Sequence, residues 1–324
     1  MADVAALAGV SGQTVSRVVN DSPRVDPATR SRVEQAMARL GYRPHRAARA
    51  LRTGRTQTIG LIASTLATVG NSRMLQAVAD AAAARGYALV VVTLGVGSDI
   101  AGAFDRLRDQ GVDGAIVLNE ATDLVRDADT PAGLALVVVD SPSDDRFGVV
   151  ATDHAGGARA ATEHLLGLGH ATVHHVAGPA GSFAAAERER GWRSALEEAA
   201  IVPPAVMRGD WTAASGHVAG VALAEDAAVT AVFAANDQMA LGVLRAVADA
   251  GRGVPEVVSV VGFDDVADAA DFRPPLTTVR QDFDALGERA LERLVAEIED
   301  RRDPAFDLIP AALVLRASTA SPAR

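Results

Sequence analysis

The chain of 324 residues contains no cysteine and no lysine. Without cysteine there is no disulfide framework, no Cys-type zinc site and no thiol nucleophile, which suits a reducing cytoplasm. Without lysine a Gly-rich phosphate loop ending in Lys-Ser/Thr is excluded. Long hydrophobic runs are missing too, and the longest falls far short of the ~20 residues that span a bilayer. No basic region followed by an apolar run opens the chain, so no signal peptide is expected. "LGVGSD" holds Gly95 and Gly97 but no third glycine at the spacing of a dinucleotide fingerprint. No Ser-centred nucleophile elbow occurs, and no set of acid, base and nucleophile points to an enzyme. His174 and His175 are neighbours, so on a strand they face opposite ways and do not readily share a metal. The expectation is a cytoplasmic protein with no catalytic residue, no metal, no cofactor and no membrane partner.

What is present is a globular composition, 49% hydrophobic and 22% charged, and length enough for two or three domains. The net charge of −10 conceals an asymmetry. Residues 1–57 carry ten Arg and four acids, net +6, while the remainder carries 21 Arg and 37 acids, net −16. A basic head on an acidic body points to a polyanion partner for the head alone. The use of Arg for all 31 basic residues reads as coding bias, so only its concentration in the head is informative.

The head reads as three short helices. Asp3 to Ala8 places Val4 and Leu7 on one face, and Gly9 stops it. Ser11 can cap a second helix, in which Val15, Val18 and Val19 share the inward face. Gln13 and Arg17 then lie one turn apart on another side. Asp26-Pro27 is an N-cap followed by proline at the first helical position. The third helix runs to Leu40, with Val33, Met37 and Leu40 inward and Gly41 as its stop. Helix, turn, helix and a packing helix describe a helix-turn-helix head or any small bundle. The basic charge and the Gln13/Arg17 pair favour DNA, because Gln can bond adenine and Arg guanine in the major groove. From Arg43 to Arg55 follows "RPHRAARALRTGR", a small apolar stripe of Ala47, Ala48 and Leu51 among arginines. On its own this is a basic linker, since about nine helical residues are marginal in water.

From Thr58 short apolar runs alternate with helical stretches. "TIGLIA", "ALVVVTL", "GAIVLN" and "LALVVVD" read as buried parallel strands, with helices such as Ser72–Arg85 and Ile100–Gln110 between them. A second set, "TVHHVAG", "AVFAAND" and "VVSVVGFDD", comes with helices near His154–Leu168, Phe183–Ala199 and Asp237–Ala250. The expected fold class is α/β, with two doubly wound lobes and a ligand crevice at the carboxyl ends of their strands. Polar residues stand at those ends: Asn119, Asp140, Asn236-Asp237, Asp264 and Asp265. A sugar site needs carboxylates and amides for hydroxyls, an Arg to share them and an aromatic face for the ring. Arg188, Trp211 and Phe283 can supply the last two. Singly, an Asp after a strand is most often a cap and a lone Trp most often core.

"DVAALAGVSGQTVSRVVN" and "VDPATRSRVEQAMARLGYRPHRAARALRTGRTQTIGL", then "GDWTAASG", "ANDQMALG", "SVVGFDD" and "PPLTTVRQDF", resemble the lactose-repressor family of bacterial transcription regulators over nearly the whole chain. The resemblance implies a helix-turn-helix head at 1–42, a hinge helix and linker at 43–57 and an effector-binding, dimerising body at 58–324. Its N-lobe would take about 58–152 and 282–309, and its C-lobe about 153–281 and 310–324, in a periplasmic-binding-protein-like arrangement. It implies that Gly12, Gln13 and Arg17 read bases, that Ser11, Thr14, Ser16 and Asn20 contact or support phosphates, and that Leu51 wedges the minor groove. Arg24 completes the candidate DNA contacts. Gly12 has no side chain to read with, and His45 stands where Asn is common. On the body the resemblance implies an effector site of Arg188, Asn236, Asp264, Trp211, Asp140 and Phe283, with Ser182 and Gln281 at its periphery and Asn119 at a strand end. The aromatic wall of many members is absent after the first strand; Thr68, Gly70, Asn71 and Met74 stand there.

The expected protein is a homodimeric repressor on double-stranded operator DNA, released by a small galactoside-like sugar. Its dimer contacts are expected on the Ser72–Arg85 helix and the face after Ala213. With no leucine heptads after "AALVL", no tail-mediated tetramer is expected. A purine-type corepressor is the alternative within the family. A periplasmic-type sugar-binding protein and a sugar enzyme are the alternatives outside it.

Overall fold

Gly9 and Asp26-Pro27 punctuate the first helices. α1 (Ala2–Ala8) ends where Gly9 turns left-handed at φ 64, a conformation that disfavours any side chain. α2 (Gly12–Val19) starts where the Thr14 N–H donates to Ser11 Oγ at 3.1 Å. α3 (Pro27–Arg39) is capped by Asp26, whose Oδ1 accepts from the Thr29 N–H at 2.9 Å. The Thr29 amide and hydroxyl hold the Asp26 carboxyl below its ordinary range. This computed structural model describes residues 1–19, 22–42, 54–95, 99–128, 133–299 and 306–322, in two units, Met1–Gln57 and Thr58–Arg324.

In the first unit Val4, Ala5, Ala8, Val15, Val18, Val33 and Ala36 form the core. Two leucines depart from the expected pattern. Leu7 is 48% exposed, because α1 packs on its small Val4-Ala5-Ala8 stripe and Leu7 lies about a quarter turn off it. Leu40 is 46% exposed, because it follows the last helical residue as C-cap, and Ala36 and Met37 fill the inward positions.

The second unit begins with five strands: β1 (Thr58–Ala63), β2 (Ala88–Thr93), β3 (Gly114–Leu118), β4 (Ala135–Val139) and β5 (Gly148–Thr152). Five more follow: β6 (His174–Ala177), β7 (Met207–Arg208), β8 (Ala231–Ala234), β9 (Ser259–Asp264) and β10 (Thr277–Arg280). β11 (Phe306–Ile309) and β12 (Ala312–Val314) come last. They build two six-stranded sheets, β11-β5-β4-β3-β1-β2 and β12-β10-β9-β8-β6-β7. Every pairing is parallel except β10 with β12. Strand order reverses between β1 and β3 and again between β6 and β8, the switch points at which a doubly wound sheet opens its crevice. Central strands such as β3, β8 and β9 are wholly buried, as sheets covered on both faces require. β2 is an edge strand and only half buried despite its apolar sequence.

Helices cover both faces. The first sheet packs one face on Val69–Ala84 and Phe283–Ile298, whose Met74, Val78, Leu286 and Leu294 join its core. The helix expected to start at Ser72 starts at Val69, because the Thr68 hydroxyl accepts the Asn71 N–H and caps it three residues earlier. In the second sheet, Ala213–Glu225 lies on Asp237–Asp249 through glycines. A Cβ on Gly242 would stand 2.1 Å from the Ala213 carbonyl oxygen and 2.4 Å from the His217 nitrogen.

The chain crosses between the lobes three times, and each connection is one or two residues. Asp153 links β5 to the helix His154–Gly167, residues 281–282 link β10 to Phe283–Ile298, and residues 310–311 link β11 to β12. The Asp153 N–H also donates to the Ile309 carbonyl at 2.8 Å, tying the first connection to the third.

Candidate functional site

On the first unit, Ser11, Gly12, Gln13, Arg17 and Arg24 are exposed, and Thr14 and Ser16 are half-buried. Val15 and Val18, on the other side of α2, are fully or nearly buried. The valines therefore fix the rotation of α2 and leave Gln13 and Arg17, one turn apart, facing outward. The Ser11 and Thr14 hydroxyls lie 3.0 Å apart. Asn20 and Leu51 lie outside the described residues, as does most of Arg43 to Arg55.

On the second unit a cleft of about 460 Å³ opens at the strand ends. Its walls bring together the nine candidate effector-site side chains, Asn119, Asp140, Ser182, Arg188, Trp211, Asn236, Asp264, Gln281 and Phe283, whereas the strand-end Asp237 and Asp265 do not line it. Thr68, Gly70, Met74 and Ala184 complete the walls. Asn71 stands behind this wall, fully buried. Its Nδ2 donates to the Thr65 carbonyl at 2.9 Å, and its Oδ1 accepts from Asn119 Nδ2.

Strand ends and helix starts supply these residues. Asn119 follows β3, Asp140 follows β4, Asp264 ends β9 and Gln281 follows β10. Ser182 and Asn236 are N-caps whose side chains accept from the Ala185 and Met239 amides. Seven non-glycine residues have positive φ among the described residues. Four of them line this one cleft: Asn119 (45°), Asp140 (56°), Trp211 (73°) and Asp264 (112°). Backbone of this kind costs about 1–3 kcal/mol per residue, and it gathers where a site needs side chains aimed off the regular path.

Arg188 is the electrostatic centre. It is only 4% exposed, and its guanidinium reaches the Ala235 carbonyl, His154 Nδ1 at 3.3 Å and Asp264 Oδ1 at 3.4 Å. Its central carbon lies 3.8 Å from the Phe263 ring centroid and 5.4 Å from that of Trp211. Burial pulls its pKa down, against the carboxylates of Asp264, Asp140 and Asp237. The two lining carboxylates move oppositely. Burial raises Asp264 and outweighs Arg188 and the Gln281 amide, which donates to its Oδ1 at 2.6 Å. At Asp140 burial is overcome by His154, the Thr152 N–H and Arg188, and the carboxyl sits below its ordinary range. The Trp211 ring lies against Gly178, where a Cβ would come within 2.3 Å of it. Asn119 Oδ1 and Gln281 Oε1 are buried acceptors with no hydrogen-bond partner, which a further donor would satisfy.

One participant went unread in the sequence. His154 is buried between Arg188 and Asp140, with its Nε2 3.0 Å from Asp140 Oδ1. In the sequence it is merely the first residue of a helix, and nothing marks it as a neighbour of Arg188. Among the described residues no group of His, Cys, Asp and Glu is arranged to hold a metal, and no helix is long and apolar enough to cross a membrane.

Residues 1–45 match the family described as bacterial regulatory proteins, lacI family, and residues 162–319 match the periplasmic binding protein-like domain. The chain is 37% identical to the lactose operon repressor of Escherichia coli (strain K12), over 99% of this chain and 90% of that protein. It is 39% identical to the HTH-type transcriptional regulator CelR of Thermobifida fusca, over 91% and 90%. It is 32% identical to the HTH-type transcriptional repressor PurR of Vibrio atlanticus (strain LGP32), over 92% of each. Among solved structures it is similar to a lac repressor dimer bound to operator and the anti-inducer ONPF, with TM-score 0.85, 36% identity and 98% of each chain covered. It is also similar to a CelR–cellobiose complex, with TM-score 0.75, 36% identity and 98% of each chain covered.

Proposed function

The chain belongs to the lacI family of bacterial regulatory proteins, and from that premise we propose that it is a sequence-specific, DNA-binding repressor that a small β-linked, galactoside-like sugar releases from its operator. The observation that carries the sugar reading is the cleft's donor set. Arg188, Asn236 and Asp264 offer fixed polar groups for vicinal hydroxyls, and Trp211 and Phe283 offer faces for the C–H side of a ring. The lac repressor and CelR relatives, one solved on operator and the other with cellobiose, support the same assignment.

In this reading Gln13 and Arg17 read base edges, with Ser11, Gly12, Thr14, Ser16, Asn20 and Arg24 along the same DNA surface. A homodimer presents two such heads to a pseudo-palindromic operator. The sugar acts through its differential affinity for two states of the dimer, the only means by which a ligand shifts an equilibrium. Closure of the lobes would separate the paired hinge segments and so weaken operator binding.

The deciding experiment is calorimetry of the full chain with methyl β-D-galactoside, cellobiose, hypoxanthine and guanine. It is paired with titration of an operator selected from random DNA, with and without each compound. Sugar binding that weakens operator affinity is expected. Tight purine binding that strengthens it, with no sugar response, would replace this reading by a corepressor one. Leu51→Ala is expected to lower operator affinity by about tenfold or more, as loss of an intercalating wedge should, with sugar affinity unchanged. Equal operator titrations for variant and parent would remove Leu51 from the interface.

A further inference from the structure

Asn236 and Asp237 are adjacent where β8 meets the helix Asp237–Asp249, and they hold two different backbones. Asn236 Nδ2 donates to the Trp211 carbonyl at 3.0 Å, anchoring one left-handed residue of the cleft. Asp237 does not line the cleft and is fully buried. Its Oδ2 accepts from the Val266 N–H at 2.8 Å, and its Oδ1 accepts from the Thr278 hydroxyl at 2.5 Å. Val266 directly follows Asp264 and Asp265, both left-handed, at φ 112 and 52. Such a pair persists only where its surroundings over-determine it. Room for the carboxyl is made at Gly262, where a Cβ would stand 2.2 Å from Asp237 Oδ1. From the other side Arg280 and Arg316 hold the Asp265 carboxylate, at 2.6 and 2.5 Å.

We propose that Asp237 is a positioning residue for the effector site. By gripping the Val266 N–H and the Thr278 hydroxyl it locks the Asp264–Asp265 turn, and so aims the Asp264 carboxylate into the cleft without touching the ligand. The inference rests on the cleft being the effector site.

The charge environment sharpens the test. Burial, then the charge of Asp264, pushes the Asp237 carboxyl up to about 8, against the Thr278 hydroxyl and the Val266 N–H, with Asp265 adding a smaller push. Arg188 is the cation coupled to it, while Arg280 and Arg316 compensate Asp265. At neutral pH the group is therefore a neutral acid. An asparagine carries no charge and keeps an oxygen for the Val266 N–H, and its NH2 meets the Thr278 oxygen once that hydroxyl turns to accept.

The test compares full-length parent, Asp237→Asn and Asp237→Ala. Hydrogen exchange at the Val266 amide is read alongside Ile116 in β3, and calorimetry uses methyl β-D-galactoside and cellobiose. Asp237→Ala is expected to speed Val266 exchange about tenfold or more relative to Ile116, and to weaken sugar binding similarly, because both donors lose their acceptor. Asp237→Asn should keep both within about threefold of parent. As pH rises through about 8 the parent should lose sugar affinity, because an ionised Asp237 repels Asp264, while the Val266 N–H, whose bond favours the charged carboxylate, stays protected. Asp237→Asn should stay flat. Parent-like exchange in Asp237→Ala overturns the proposal, as does an Asp237→Asn variant as impaired as the alanine. If the parent binds neither sugar, the sugar reading fails, and Val266 exchange still decides whether Asp237 holds the turn.

Discussion

Arg188→Ala is expected to leave a repressor that binds operator but no longer answers its sugar. Arg188 offers charge-assisted donors fixed by burial, by the Ala235 carbonyl and by Phe263. Losing two such bonds to ligand hydroxyls, at about 1.5–3 kcal/mol each, weakens binding by about a hundredfold or more. Operator affinity without sugar should stay within about threefold, because Arg188 belongs to the second unit and the side chains proposed to read DNA belong to the first. Stability is the confounding variable, since removing one partner of a buried pair typically costs about 3–5 kcal/mol. Here the loss is softened, because burial already raises Asp264 and the carboxyl can take a proton once Arg188 is gone. The double variant Arg188→Ala/Asp264→Asn removes the stranded charge. It should recover most of the lost melting temperature and none of the sugar response. Operator titration with and without sugar, beside thermal melting, reads both. An undiminished response in the single variant would take Arg188 out of the effector site.

Gly242→Val should be among the most damaging substitutions in the body. The atoms a side chain would meet there are backbone, the Ala213 carbonyl oxygen and the His217 nitrogen, and backbone cannot swing away like a flexible side chain. The two helices must separate, and Ala219, Leu223, Val243 and Val247 lose packing between them. Overpacking of this kind costs about 3 kcal/mol, which in a unit of this size is a drop of about 6–12 °C in melting temperature. Gly167→Ala is the control, because a Cβ there meets nothing within 4 Å; it should melt within about 1 °C of parent. Scanning calorimetry of the three proteins settles it, and a Gly242→Val protein as stable as parent would show that the helices part without cost.

Much of the architecture is legible before any coordinates. The switch from helical periodicity to buried apolar runs at Thr58, and the two βα series after it, announce the two lobes, and "TIGLIA" coincides with β1. Three of the strands that escape have sequences that do not separate them from turns: β7 is two residues long, β10 reads "TTVR", and β11, "FDLI", is an edge strand with alternate residues exposed. β5, "GVVAT", is wholly buried and also goes unread, a short apolar run following the polar stretch "SPSDDR". For the cleft, strand-end position marks Asn119, Asp140, Asn236 and Asp264 but equally Asp237 and Asp265, which do not line it, and the family resemblance implies the rest of the nine. What sequence cannot express is local backbone geometry. Nothing in "GDWTA" says that Trp211 is left-handed, and nothing in "TDHAG" says that His154 meets Arg188. The same limit hides Leu7, whose outward turn follows from how closely three small side chains let α1 approach α2 and α3.

The three interlobe connections make the lobes poor currency for recombination. A lobe is not one continuous stretch of chain, so exchanging it with a relative's takes three simultaneous joins, at Asp153, at 281–282 and at 310–311. Two of those joins abut the cleft: His154 follows the first, while Gln281 lies within the second and Phe283 follows it. A single crossover between Thr68 and Phe283 would therefore mate part of one cleft to part of another. New ligand specificities in this scaffold are reached more readily by substitutions on the cleft walls than by shuffling, whereas the head, contiguous in sequence, can be exchanged at one seam.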